Sequence, residues 1–156
     1  MRGSKFKVLS WDQLTRDELH AVLRLRIDIF VVDQDCPYPD LDGKDLSSLH
    51  VFSMREGEEP ESGVSAASYI RICAPGVSYK EPSIGRVATA LDRRGEGLGR
   101  EIMLRAIEVC DQQWPNEGIR ISAQYYLVQF YSDLGFVSTG EQYLEDNLPH
   151  IQMIRA

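Results

Sequence analysis

The sequence predicts an α/β domain in which helices alternate with the strands of one mixed sheet. Two segments, near residues 15–30 and 99–110, carry the apolar period of amphipathic helices. Short apolar or alternating runs precede, separate and follow them, as strands do. The key joints are long loops rather than tight hairpins, which suits crossings between strand and helix.

Composition bounds the problem. The 156 residues suffice for one domain, 1–156, with a core of its own, and no repeat or long linker divides it. Apolar residues make up 43%, so disorder is not the default. A net charge of −7 argues against nucleic acid as a partner and favours cationic ligands. No apolar run reaches the roughly 18–20 residues of a membrane span and no secretory signal opens the chain, so no membrane partner is expected. Cys36, Cys73 and Cys110 are odd in number and scattered. That pattern points away from a disulfide framework or a metal site and toward a reducing cytoplasm.

Met1–Ser4 is a short polar lead. Phe6, Val8 and Trp11 alternate with polar residues and predict a strand over Lys5–Ser10. Thr15 and Glu18 form a capping box, which opens a helix carrying Leu19, Val22, Leu23, Leu25, Ile27 and Phe30 and ending near Phe30 or Val32. Val32–His50 follows as an acidic loop with two prolines. Asp40-Leu41-Asp42-Gly43 looks like the start of a calcium loop, but Asp45 stands where glycine is needed and Val51 where glutamate is needed. The loop is either a solvated acidic connection or the mouth of a site whose acids attract an ammonium group. Strands are predicted at His50–Ser53 and Gly63–Ile72, about a charged turn at Arg55–Ser62. Ala74–Lys80 is a loop, and Ile84–Ala90 is a mostly buried strand.

After that strand come Asp92-Arg93-Arg94 and three alternating glycines, Gly95, Gly97 and Gly99. A helix then starts at Gly99, with Ile102, Met103, Ala106, Ile107 and Cys110 on one stripe. Trp114–Gly118 ends it. Ile119–Ala123 is a further strand, and Leu127, Phe130, Tyr131 and Leu134 form a short helical stripe stopped by Gly135. Phe136–Ser138 with Tyr143 suggest another strand, and His150–Ile154 the last.

Strand, glycine turn and helix start make an anion holder. The first helical amides lack partners, the helix dipole adds positive charge, and glycine lets the backbone come close. Arg94 can add a charged contact. A dinucleotide fingerprint fails because Arg100 takes the third glycine's place, and a phosphate loop fails for want of Gly-Lys. What remains, Arg94-x-x-Gly97-x-Gly99, resembles the R/Q-x-x-G-x-G/A motif of GNAT-fold N-acetyltransferases, set against a helix that merely begins in a glycine-rich loop. A second stretch, Ile119–Phe136 with Tyr131, Gly135 and Phe136, resembles the family's strand–helix–Tyr-x-x-x-Gly-Phe motif. From Leu25 to Met153 the chain looks like the ElaA-like branch, through Leu25-Arg26, Cys36-Pro37-Tyr38, Asp42-Gly43, Asp45-Leu46, His50, Ile84-Gly85-Arg86-Val87, Ala123-Gln124 and Pro149-His150-Ile151. Where that branch has histidine after Ala-Gln-x, this chain has Tyr126.

The resemblance implies a GNAT fold: a mixed, mostly antiparallel sheet of six to seven strands with helices on both faces. It implies acetyl-CoA as cosubstrate, an amine-bearing acceptor, no metal, and a homodimer as one admitted assembly. The turn Arg94, Gly95, Glu96, Gly97, Leu98, Gly99 and Arg100 would hold the pyrophosphate. The backbone of Val87, Ala88 and Thr89 would hold the pantetheine arm, joined by Gln124, which stands where many members have asparagine. Seven residues separate Gln124 from Tyr131, two helical turns, so both can face one cofactor. Tyr131 is either the acid that protonates the departing thiolate or a core tyrosine. His50 is either a base or a structural histidine, and Asp42 and Asp45 either bind the acceptor amine or shape their loop. Glu96 reads as solvated and His20 as surface. Against an enzyme stands a non-catalytic acyl-CoA-binding or protein-interaction module of the same fold.

Overall fold

The computed structural model describes residues 5–55 and 65–156. Seven strands form one sheet: β1 (Lys7–Ser10), β2 (Leu49–Met54), β3 (Ala66–Cys73), β4 (Ser83–Thr89), β5 (Ile119–Gln124), β6 (Val137–Glu145) and β7 (Leu148–Arg155). Their order is β1-β2-β3-β4-β5-β7-β6. Every pairing is antiparallel except β4 with β5. Among the described residues three α-helices, α1 (Arg16–Arg26), α2 (Leu98–Gln113) and α3 (Val128–Ser132), pack with it.

The sheet separates two apolar clusters. On one side Ile102, Met103 and Ala106 of α2 pack on Ile70, Ile72, Ile84, Ile121 and Met153. On the other, Ala21, Val22 and Leu25 of α1 pack on Phe52, Tyr69 and Ala88. β3 lies between both and all eight of its residues are buried, which explains its near-continuous apolar run.

The capping box forms as expected: Thr15 Oγ1 accepts from Glu18 N at 3.1 Å and Glu18 Oε1 from Thr15 N at 2.9 Å. The helix does not stay α-helical to Val32. From Ile27 to Asp33 it widens into π-helical turns, with Gln34 N reaching back five residues to Ile29 O at 3.2 Å. Such widened turns are frequent at functional sites. The loop after it is not wholly irregular, because Gly43–Ser47 forms a 3₁₀ turn capped by Asp42.

The predicted strand start at Gly63 and most of the Arg55–Ser62 turn lie outside the described residues. The end of the chain departs from expectation. β6 and β7 form a tight hairpin rather than two strands across a long loop, and Asp146 and Asn147 at its tip have φ of 51° and 63°. Two consecutive left-handed residues make a turn of the mirror-image kind that matches strand twist.

Candidate active site

β4 and β5 run side by side but pair only at Ser83–Arg120, after which they part. The gap opens into a cavity of about 680 Å³. Beyond Ser83, the edge of β4 facing β5 therefore has backbone groups with no ladder partner. A bulge re-aims this stretch: Tyr69 pairs with Ala88 but Arg71 with Gly85, so β4 carries one residue more than β3. Arg86, at the bulge, has φ of 50°. Val87 and Thr89 line the cavity, while the side chain of Ala88 turns away into the α1 cluster.

The glycine turn borders the same cavity. Gly95 and Gly97 have φ of 86° and 78°, and a Cβ on either would meet no protein atom within 4 Å. Backbone conformation, not crowding, is what demands glycine here. α2 begins at Leu98, one residue earlier than predicted, with Gly97 as its cap. Its first intrahelical bond runs from Glu101 N to Gly97 O at 3.1 Å, which leaves the amides of Leu98, Gly99 and Arg100 without helical acceptors. Arg93, Arg94 and Arg100 line the cavity with the turn, and Glu96 points to solvent instead. Arg94 also lies 3.7 Å from the carboxylate of Asp33, at the end of the widened helix. Orphan amides, guanidinium groups and glycines free of side-chain bulk together fit a diphosphate.

Tyr131 also faces the cavity. Its ring lies edge-on to Phe130 and Phe136, at centroid distances of 5.1 and 6.1 Å. Burial pushes its hydroxyl pKa well up, so the group stays protonated and can donate. Gln124 ends β5 and reaches Tyr131 through the 3₁₀ turn Tyr125–Leu127 rather than along one helix. The two residues face one cavity, but not by the helical spacing expected.

The acidic loop is locked by arginines. Buried Arg26 donates to Asp40 Oδ2 at 2.9 Å and to both oxygens of Asp45, at 2.8 and 3.2 Å. Arg71 donates to Asp42 at 2.7 Å and to Asp45 at 3.0 Å. Arg86 reaches the Asp40 carbonyl at 2.9 Å and stands 3.4 Å from Asp42. Burial alone would raise the Asp45 carboxyl, but hydrogen bonds and charge from Arg26 and Arg71 hold it below the usual range. Burial likewise opposes, and Arg71 and Arg86 outweigh it, at Asp42. Neither aspartate lines the cavity, and Asp45 is held by both Arg26 and Arg71, an arrangement that suits the loop-shaping alternative rather than acceptor binding.

For His50 the contacts suit the structural alternative. It is buried on β2 away from the cavity, with Nε2 donating to the Asp45 carbonyl at 3.0 Å and Nδ1 accepting from the Tyr69 hydroxyl at 2.6 Å. A carbonyl can only accept, which fixes that tautomer. Burial, ahead of any other cause, lowers its pKa, and both ring nitrogens are occupied.

A further wall belongs to β6 and β7, and it includes His150, for which the sequence favoured packing of the last strand over catalysis. His150 and Glu145 line the cavity there. His150 Nδ1 donates to the Leu148 carbonyl at 2.8 Å, leaving Nε2 as the basic nitrogen, 3.5 Å from Glu145 Oε2. The imidazole stacks on Tyr143, whose hydroxyl is hydrogen-bonded to Ser122. The two-residue period of β7 running out from the Asp146–Asn147 turn sets which residues share this face.

Among the described residues no group of three or more potential ligands could hold a metal ion, and no helix is long and apolar enough to cross a membrane. Comparison with known proteins finds a family model, the acetyltransferase (GNAT) domain, matching residues 54–156. The chain is 36% identical over 149 residues to protein ElaA of Escherichia coli, covering 94% of this chain and 93% of that one. A crystal structure of an acyl-CoA N-acyltransferase from Pseudomonas aeruginosa superposes with a TM-score of 0.88 at 37% identity, over 97% of this chain and 98% of that one. The crystal structure of Escherichia coli ElaA superposes with a TM-score of 0.86 at 34% identity, over 97% and 98% of the two chains.

Proposed function

The chain belongs to the GNAT acetyltransferase family, and on that premise we propose that it moves the acetyl group of acetyl-CoA to a primary amine by direct attack on the thioester. The observation that carries this reading is the parting of β4 from β5 beside the glycine turn, with Tyr131 on the same cavity. Acetyl-CoA brings an activated acyl carbon, so the protein has only to position, deprotonate and receive the leaving group. The amides of Leu98, Gly99 and Arg100, with Arg94, hold the diphosphate. The open edge of β4 at Val87–Thr89 takes up the amide arm as an added strand would be taken up, and its donors polarise the acyl oxygen. Gln124 steadies the arm from β5. Tyr131, kept protonated by burial, supplies a proton to the departing sulfur.

Incubation with acetyl-CoA and a panel of primary amines, with a thiol reagent reporting free coenzyme A, tests the reading. Release is expected with at least one amine. Tyr131→Phe should lower turnover by about a hundredfold while leaving acetyl-CoA affinity nearly intact. Tight acetyl-CoA binding with no release from any amine would instead favour a binding module.

A further inference from the structure

With Asp45 and His50 engaged by protein groups, the acetyl-transfer reading needs a group to receive the cationic acceptor and a group to take its proton. We propose that the β6–β7 wall supplies both, with His150 as the base and Glu145 as the carboxylate that seats the ammonium. This inference rests on the acetyl-transfer reading.

Position is the first argument. His150 is the cross-strand partner of Gln124. Partners on adjacent antiparallel strands share a face with Cα atoms about 4.5–5.5 Å apart. A thioester arm steadied by Gln124 therefore ends beside the imidazole. Orientation is the second. The Leu148 carbonyl takes the Nδ1 proton and Tyr143 stacks on the ring, so Nε2 is held as a lone pair rather than left to rotate. The third argument is the spacing to Glu145. At 3.5 Å, Nε2 and Oε2 stand apart by more than an ordinary hydrogen bond, and one ammonium group can donate to both. The imidazole side chain is 8% exposed and the carboxylate 50%, which puts the base in the dry wall and the receiving charge where an incoming amine meets it.

The charge of this wall agrees, although Lys44, Arg93, Arg94 and Arg100 make the rest of the lining basic. Arg71 and Arg86 also line the cavity, but their guanidinium groups are engaged by Asp40, Asp42 and Asp45. Glu145 and the neighbouring Asp146 are the acids that line it. The acceptor class is thus an amine that arrives protonated.

The step balances as follows. The ammonium gives one proton to His150 Nε2, and the freed nitrogen pair forms the bond to the acetyl carbon as the carbon–sulfur bond breaks. Tyr131 protonates the sulfur. A second proton leaves the new amide nitrogen and restores Tyr131 through solvent, and His150 returns its proton to bulk.

The test compares two nucleophiles with acetyl-CoA: charged primary amines (a diamine, lysine methyl ester and an aminoglycoside), and hydroxylamine, which is mostly uncharged at neutral pH. His150→Gln should cut turnover of the amine by about a hundredfold or more. Its turnover of hydroxylamine above the uncatalysed rate, and its acetyl-CoA affinity, should change little. Glu145→Gln, on an exposed strand, should raise the amine KM by about tenfold without altering acetyl-CoA affinity. Equal loss with both nucleophiles would make His150 structural and overturn the proposal, as would full amine turnover by His150→Gln. Absence of coenzyme A release by the unaltered protein would remove the underlying acetyl-transfer reading instead.

Discussion

Asp45 shows how much one side chain can be asked to do in this molecule. Its carboxylate is 3% exposed and meets Arg26 and Arg71 at once. Because its pKa is depressed on folding, its contribution to stability is fully present above the unfolded carboxylate value, about 3.9. That contribution fades as pH falls through the lower folded value. Asp42 adds a change of the same sign. Asp45→Asn should therefore cost about 3–5 kcal/mol at neutral pH, by stranding buried guanidinium charge. It should also flatten the fall of stability below about pH 5. Urea unfolding followed by tryptophan fluorescence at several pH values checks both, and a variant as acid-sensitive as the parent would refute the assignment. The sequence offered loop shaping as one role for Asp42 and Asp45, but not the arginines that pair with them. The members of the cluster, Arg26, Asp40, Asp42, Asp45, Arg71 and Arg86, come from α1, one loop and two strands, and no period links them. Spacing could name acids near a cleft, but not which acids already had partners.

Among the elements, the join from β4 to α2 was the most readable, since each of its residues answers to a local rule. Gly97 sits at φ 78° as the cap of α2. Gly97→Ala should cost about 1–2 kcal/mol from left-handed backbone alone. A Cβ there meets no protein atom within 4 Å, so no clash adds to that. Its acetyl-CoA affinity should nevertheless fall severalfold as the turn relaxes. Titration calorimetry beside thermal melting separates the two effects, and unchanged affinity would take the turn out of the binding site. The widened helix at Ile27–Asp33 and the β6–β7 hairpin were harder to read. The first keeps an ordinary apolar stripe in its letters, and the second turns on Asp146-Asn147 without the glycine that usually marks such a bend.

For the molecule as a whole, the two half-sheets β1–β4 and β5–β7–β6 share one rung. The α/β class and both helical faces could be anticipated from periodicity, but the parting of β4 from β5 could not, because strand pairing is a long-range property that neither strand's letters carry. Hydrogen exchange should find the β4 amides that face β5, and those of residues 95–100, fast in the free protein and slowed on adding acetyl-CoA. Equal rates with and without it would place the ligand elsewhere. A lone rung also means that little backbone carries force from one half to the other. At that rung Arg120 grips Glu81 through two bonds of 3.0 and 3.1 Å. The clasp ties the segment leading into β4 to β5 at the one place where the two strands pair, so the cleft widens away from a fixed corner.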